Sequence, residues 1–206
     1  MIEKKIDYQR VLTFLEHKHS KVPEHLDLLI KEGIQEVLAL AQIKFCYLTT
    51  DRKFCFREPV KETVLFALTL GASVDHRILY YEKTYVTKAV IADAAANAMI
   101  ESAMEQLEEY LRYLYLENSF FLTEMMCPGN GGIPLEWNGQ IVNMLDAQKR
   151  IGLYHTDHNS LLPQKSTVGF FGITDHPICR KKSKCENCTA NCKYRKKSET
   201  WKSENI

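Results

Sequence analysis

The sequence predicts an α+β fold with a mixed or antiparallel sheet, long packed helices and a cysteine-rich C-terminal tail. Two observations predict it. Apolar residues recur at helical spacing from about Thr87 to Leu116, among alanines that favour helix and allow close packing. Helices and strands also do not alternate as regular βαβ units, which argues against a parallel α/β sheet.

The first third of the chain predicts two helices and a first set of strands. Asp7 is placed to cap a short helix, and Pro23 suits the first turn of a longer one. Residues 43–48 change to β-rich character, and residues 54–56 could pair with them. The run 63–70 is apolar throughout, so its pattern leaves strand and helix both open.

The second half predicts a strand, a helix and a final strand. Residues 119–123 resemble a strand that leads into a glycine-rich loop. Residues 135–150 form an amphipathic pattern that predicts one helix, with Gly152 placed to end it. A last strand is expected over residues 167–174, just before the cysteines.

Composition bounds the class of protein. The 206 residues are 45% hydrophobic and 26% charged, as in ordinary globular domains, and the net charge of +1 attracts neither nucleic acid nor membrane. The sequence contains no apolar run of roughly 18–20 residues, and residues 1–5 lack the apolar stretch of a signal peptide, so we expect a cytoplasmic protein. We divide the chain into an α+β domain, residues 1–174, and a basic cysteine-rich metal-binding tail, residues 175–206.

The most informative stretch is the loop from Cys127 to Pro134, which contains two prolines and three glycines in eight residues. Proline fixes φ, whereas glycine permits positive φ and lets a ligand approach the backbone. A rigid arc of exposed peptide groups suits recognition of a polar small molecule. A tight connection between a strand and a helix is the alternative interpretation.

Several short segments flank this loop in a characteristic order. In order and spacing they resemble the activation domain of cobalamin-dependent methionine synthase, which binds S-adenosylmethionine, and still more the small stand-alone relatives of that domain. The resemblance runs over nearly the whole chain. The segments that carry it are Asp7–Leu15, Leu68–Asp75, Ala92–Ala96 with Glu101, Cys127–Gly132, Ile151–Leu153, Thr156–His158, Leu162–Ser166, Val168–Gly172 and the four-cysteine tail.

The resemblance implies a ligand site. In the family, an acidic side chain, an arginine and backbone atoms of the Pro/Gly loop hold the amino and carboxylate groups of S-adenosylmethionine. Glu101 matches the acidic residue, and the loop supplies the remaining cofactor-binding candidates: Cys127, Pro128, Gly129, Asn130 and Gly131.

Two positions depart from the family. The expected arginine is Met125 and the expected tyrosine is Asn130, so a carboxylate partner and a stacking surface are missing. Loss of one charge-assisted hydrogen bond typically costs about 1.5–3 kcal/mol. Arg112, Lys165 and Arg150 are candidate replacements for the arginine.

By the same resemblance, the chain is an accessory or reactivation protein for methionine synthase or a related corrinoid enzyme, not a complete enzyme. It would dock on the corrinoid-binding domain of its partner, which carries the cobalamin. S-adenosylmethionine held by the chain would then supply the methyl group during reductive methylation of the cobalt.

The tail predicts a metal site. Cys179, Cys185, Cys188 and Cys192 are spaced as Cys-x5-Cys-x2-Cys-x3-Cys in a segment too polar to bury them. Four thiolates suit either zinc or an iron–sulfur cluster. A cluster allows an alternative function on the same scaffold, that of an electron carrier or redox sensor that does not bind S-adenosylmethionine.

Two other features suggest weaker functional hypotheses. Lysines and arginines surround the tail cysteines, which is compatible with a nucleic-acid module, with docking on an acidic partner, or with a solvated tail. We favour the last two because the preceding domain has no groove-reading motif. His155 and His158 could bind a metal but have no third ligand at diagnostic spacing, so we interpret them as hydrogen-bonding loop residues.

Overall fold

The computed structural model describes residues 2–17, 21–54, 56, 59–178 and 194. Their helices and strands follow in the order α1 (Tyr8–Phe14), α2 (Glu24–Leu40), β1 (Lys44–Thr50), β2 (Glu62–Thr69), α3 (Ala72–Thr84), α4 (Val86–Leu116), β3 (Phe121–Leu122), α5 (Trp137–Met144), α6 (Ala147–Ile151), β4 (Tyr154–His155), β5 (Leu161–Leu162) and β6 (Ser166–Thr174).

The main sheet has four antiparallel strands in the order β1-β2-β6-β3. Strand β6, the last in sequence, lies between β2 and β3, and its register pairs Val64 with Phe171 and Leu65 with Phe170. Strands β4 and β5 form a separate two-stranded ribbon. The antiparallel sheet and the long helices confirm the predicted α+β class.

The ambiguous apolar run 63–70 is a strand because β2 is central and covered on both faces. Val64, Phe66 and Leu68 belong to the core cluster that packs against α4, whereas Leu65 and Ala67 belong to the cluster on the opposite face, with α5 and α6. A strand that is buried on both sides needs no polar alternation, which explains why its sequence pattern was uninformative.

A third core cluster lies among the helices themselves. Residues of α1, α2 and α3 pack against the N-terminal half of α4, where five buried alanines let the neighbouring helices approach closely. The five are Ala92, Ala94, Ala95, Ala96 and Ala98. Helix α4 therefore serves two cores: its first half packs against helices and its second half against the sheet.

Capping residues, glycine and proline mark the ends of three helices, as the sequence predicted. The Asp7 side chain caps α1 by accepting a hydrogen bond from the Gln9 N–H at 2.9 Å. Gly152 ends α6 in the left-handed region at φ 73°. Pro23 lies immediately before α2 and fixes the direction in which that helix starts.

Two predictions of secondary structure were wrong. The single helix expected over residues 135–150 is broken into α5 and α6 by Asp146, which has a φ of 47°. The break lets both short helices place apolar residues on the sheet. Phe54 and Phe56 lie outside the strands and instead pack their rings on the Phe170 ring. The centre of the Phe170 ring lies 4.8 Å from that of Phe54 and 5.6 Å from that of Phe56.

Gly169 on β6 is required by close packing. A Cβ atom at this position would lie 2.5 Å from the Met126 carbonyl oxygen and 2.7 Å from the Phe66 ring. Met126 pairs with Phe170 through two backbone hydrogen bonds of 2.9 and 3.0 Å. The missing side chain thus lets the segment after β3 lie directly on β6.

Among the residues that the structure describes, every helix falls short of the combined length and apolarity needed to cross a bilayer.

Candidate functional site

One face of α4 carries the polar residues of the candidate site. Asp93, Asn97 and Glu101 follow each other at intervals of four residues, so they lie above one another on the helix. The Lys165 amino group donates to Asp93 Oδ1 at 2.6 Å and to Asn97 Oδ1 at 2.8 Å. Asn97 in turn donates to Asp93 Oδ2 at 2.9 Å. Asp93 is thus tied to the segment that leads into β6.

Glu101 forms a bidentate ion pair with Arg10 of α1. Arg10 Nε lies 2.5 Å from Glu101 Oε2, and Arg10 Nη2 lies 3.0 Å from Oε1. The two side chains are only 13% and 23% exposed. The third guanidinium nitrogen, Nη1, donates to the Tyr194 carbonyl at 2.8 Å, and the guanidinium carbon lies 4.5 Å from the centre of the Phe14 ring.

Arg10 is the residue that sequence reasoning missed. It stands 91 positions before Glu101 in the chain, within an ordinary amphipathic helix. No local pattern indicates such a pairing, since it depends on how α1 packs against α4. A neighbouring contact helps to fix α1: Tyr8 donates to Asp27 of α2 at 2.5 Å, and burial together with this bond raises the pKa of Tyr8 to about 12.

The glycine-rich loop is closed by its own backbone. Gly129 N–H donates to the Ile133 carbonyl at 2.9 Å, Asn130 N–H to Cys127 at 3.2 Å and Ile133 N–H to Asn130 at 3.1 Å. Gly129, Gly131 and Gly132 have φ values between 61° and 82°, which favour glycine. Pro128 is buried and Cys127 half-buried, whereas residues 129–132 are exposed. The loop is thus an anchored arc with its glycines in solvent.

The segment that leads into the loop runs along β6 toward the start of that strand, which is also the end where the polar face of α4 lies. Arg112, near the end of α4, donates to the carbonyls of Leu122 and Thr123, beside the C-terminal end of β6. Lys165, immediately before β6, holds Asp93 and Asn97, so α4 runs antiparallel to β6. The segment after β3 also runs antiparallel to β6, and it passes Phe170 before entering the loop.

A sizeable opening lies beside the Arg10–Glu101 pair. Its volume is about 420 Å³, within the range of about 300–1,000 Å³ that is usual for small-molecule sites. Phe14 and Tyr194, which both contact Arg10, form part of its wall, and Asp93 and Asn97 contribute polar groups. Apolar residues of α3 and α4 make up most of the rest: Ile78, Val86, Ala89, Val90 and Ala94.

Met125 is buried among core residues on the α4 side of the sheet and is only 7% exposed. A position that the resemblance assigns to a ligand-binding arginine is therefore part of the hydrophobic core here. Asn130, the second departure, is exposed at the tip of the loop. Sequence reasoning identified both departures, and the structure explains why a charge would be costly at residue 125.

The four predicted metal ligands, Cys179, Cys185, Cys188 and Cys192, lie outside the described residues. Within the described part of the chain, no group of three or more histidine, cysteine, aspartate or glutamate side chains could hold a metal ion. His155 instead hydrogen-bonds the Thr156 carbonyl through Nδ1 at 3.0 Å. The metal site thus stays a prediction that concerns the tail.

The fold and the site together define an α+β domain with a ligand-sized opening on its long helix. Among solved structures, the chain is similar to a crystal structure of the MetH reactivation domain bound to AdoHcy, with a TM-score of 0.62 and 15% sequence identity. The match covers 85% of this chain and 75% of that one. No protein-family model and no curated protein matches the sequence. The structural similarity confirms the predicted relationship at the level of the fold.

Proposed function

We propose that this protein reactivates a cobalamin-dependent methyltransferase by docking on its corrinoid-binding domain and presenting S-adenosylmethionine. The similarity in fold to the MetH reactivation domain, a structure that contains AdoHcy, over most of the chain is the observation that carries the proposal. AdoHcy and S-adenosylmethionine share the adenosyl group and the amino acid end, so a site for one has the groups that bind the other.

The residues present fit such a ligand. Its amino acid end is a zwitterion, which needs an acceptor for the ammonium group and donors for the carboxylate. Glu101 supplies the acceptor, and the loop of Cys127, Pro128, Gly129, Asn130 and Gly131 supplies directed backbone groups near the same end of β6. The exposed glycines let a ligand approach the loop closely.

In this mechanism the chain's own residues bind and orient. Glu101 on the rigid α4 and the self-bonded loop fix the amino acid end, which directs the sulfonium group of the ligand toward the docked partner. When bound, S-adenosylmethionine supplies an activated methyl group for the reduced cobalt of the partner's cobalamin. The protein contributes placement, and the chemistry belongs to the cofactors.

A calorimetric titration of S-adenosylmethionine and of AdoHcy into the purified protein tests the proposal. We expect a dissociation constant in the micromolar range for the wild type. Glu101→Gln should weaken the affinity roughly tenfold or more, because the ammonium group of the ligand loses its charged partner.

Glu36→Gln is the matched control, since Glu36 forms a similar arginine pair, at 2.5 Å from Arg77, between α2 and α3. The control should bind like the wild type. Absence of binding up to millimolar ligand would contradict the proposed ligand. A separate titration with an isolated corrinoid-binding domain tests docking.

A further inference from the structure

The carboxylate of the ligand needs a cation, and the three cations that the sequence suggested are engaged elsewhere. Arg112 donates to Glu108 and to the carbonyls of Leu122 and Thr123, which joins α4 to β3. Arg150 donates to the carbonyls of Tyr47 and Leu145. The Lys165 amino group uses two of its three donors on Asp93 and Asn97.

Arg10 differs from these three because it already contacts the residue assigned to the ammonium group. Its described partners take three of its five N–H groups: two go to Glu101 and one goes to the Tyr194 carbonyl. One N–H remains on each terminal nitrogen, so two charged donors are left for the oxygens of a carboxylate.

We propose that Arg10 replaces the arginine missing at position 125 and binds the carboxylate of the S-adenosyl ligand, while Glu101 binds the ammonium group. This inference rests on the proposed function and assigns the specificity of that site for the amino acid end. Arg10 reaches the site from α1, a different element from the loop, so no comparison of loop sequences would reveal it.

The charge balance favours this arrangement. Arg10 and Glu101 are mostly buried and carry opposite charges. A zwitterion placed against them adds one charge of each sign, so no buried charge is left without a partner. A ligand with only one of the two charges would leave an imbalance. The opening lined by Phe14 and Tyr194 lies next to the pair, because both of these residues also contact Arg10.

A cycle of protein and ligand variants tests the proposal. S-adenosylmethionine and decarboxylated S-adenosylmethionine, which lacks only the carboxylate, are titrated into the wild type and Arg10→Met. For the wild type, we expect decarboxylation to weaken binding by about tenfold to a hundredfold. Arg10→Met should bind the two ligands with equal affinity. Arg10→Lys should recover part of the wild-type difference in affinity between them.

Arg77→Met is the matched control, because Arg77 pairs with Glu36 at 2.5 Å and lies over the rings of Tyr80 and Tyr81, so it resembles Arg10 in its contacts but has a different carboxylate partner. This variant should keep the full wild-type difference in affinity between the two ligands. If Arg10→Met weakened both ligands by the same factor or left both unchanged, Arg10 would not bind the carboxylate. If the wild type bound neither ligand, the proposed function itself would fail, and this inference with it.

Discussion

At the scale of single residues, the same chemical group has different roles according to what surrounds it. The Glu101 carboxylate is held by a guanidinium in a half-buried site, whereas Asp175, at the end of β6, is paired in solvent. Lys61 Nζ lies 2.9 Å from Asp175 Oδ2, and the His176 ring lies 3.1 Å from Oδ1. Lys61, and to a smaller extent His176, lower the pKa of Asp175 to about 2.

This shift predicts a pH dependence. The pKa of Asp175 lies below its ordinary value in the folded protein, so its stabilising contribution is present above about pH 4 and is lost as the pH falls toward 2. The contribution is small because both side chains are more than half exposed. An NMR titration of the carboxyl groups should give a pKa near 2 for Asp175, and Lys61→Gln should raise it.

Lys83→Gln, which removes a lysine from α3, should leave this pKa unchanged. A wild-type pKa near 4 would show that the Lys61–Asp175 pair does not persist in solution.

At the scale of elements, α4 organises the molecule. The other helices pack against the alanines in its first half, and its second half packs on the sheet. One polar face of the helix carries Asp93, Asn97 and Glu101. Lys165 connects that face to the start of β6 and is only 12% exposed. The connection holds the candidate site together, because α4 and the loop are both placed relative to β6.

Removing the Lys165 amino group by Lys165→Met should therefore destabilise the protein by about 2 kcal/mol. Two charge-assisted hydrogen bonds are lost, while Asp93, which is 46% exposed, regains some solvation. Urea denaturation measures the change in the free energy of unfolding.

Lys149→Met is the comparison, since the Lys149 side chain is 82% exposed in its pair with Asp146. It should change stability by less than about 0.5 kcal/mol. Equal effects of the two substitutions would mean that the Lys165 connection does not stabilise the fold.

At the scale of the whole molecule, the tail meets the α+β domain at Tyr194, whose carbonyl accepts a hydrogen bond from Arg10 and whose ring lies beside that of Phe14. The described part of the chain contains three core clusters and a ligand-sized opening. The tail's pattern of four cysteines stays a prediction of zinc or an iron–sulfur cluster, and with it the alternative function of an electron carrier or redox sensor.

We expect anaerobically purified protein to contain zinc or iron that remains bound through gel filtration. Elemental analysis and the absorption spectrum identify the metal, since a cluster is coloured and zinc is not. The double substitution Cys185→Ser, Cys188→Ser should remove it because two of four thiolate ligands are lost.

Cys46→Ala is the control: Cys46 is buried in the core and 4% exposed, and burial raises the pKa of its thiol. This variant should keep the metal. Metal-free wild-type protein would rule out both the metal site and the electron-carrier alternative.

The sequence by itself determined the features that depend on neighbouring residues. The α+β class, the long helix α4, the Asp7 cap, the Gly152 stop and the final strand all follow from periodicity and capping, which act within a few residues. Glu101 and the ligand role of the loop came instead from the resemblance to the activation domain, through short motifs in a fixed order, and they stay predictions.

Only the tertiary structure decided the features that depend on distant parts of the chain. It showed that the run 63–70 is a central strand, that Asp146 breaks a predicted helix and that Met125 belongs to the core. It also brought Arg10 to Glu101 and Lys165 to Asp93, across 91 and 72 residues. The physical reason is that burial and ion pairing are set by which elements pack together, and no local pattern records that choice.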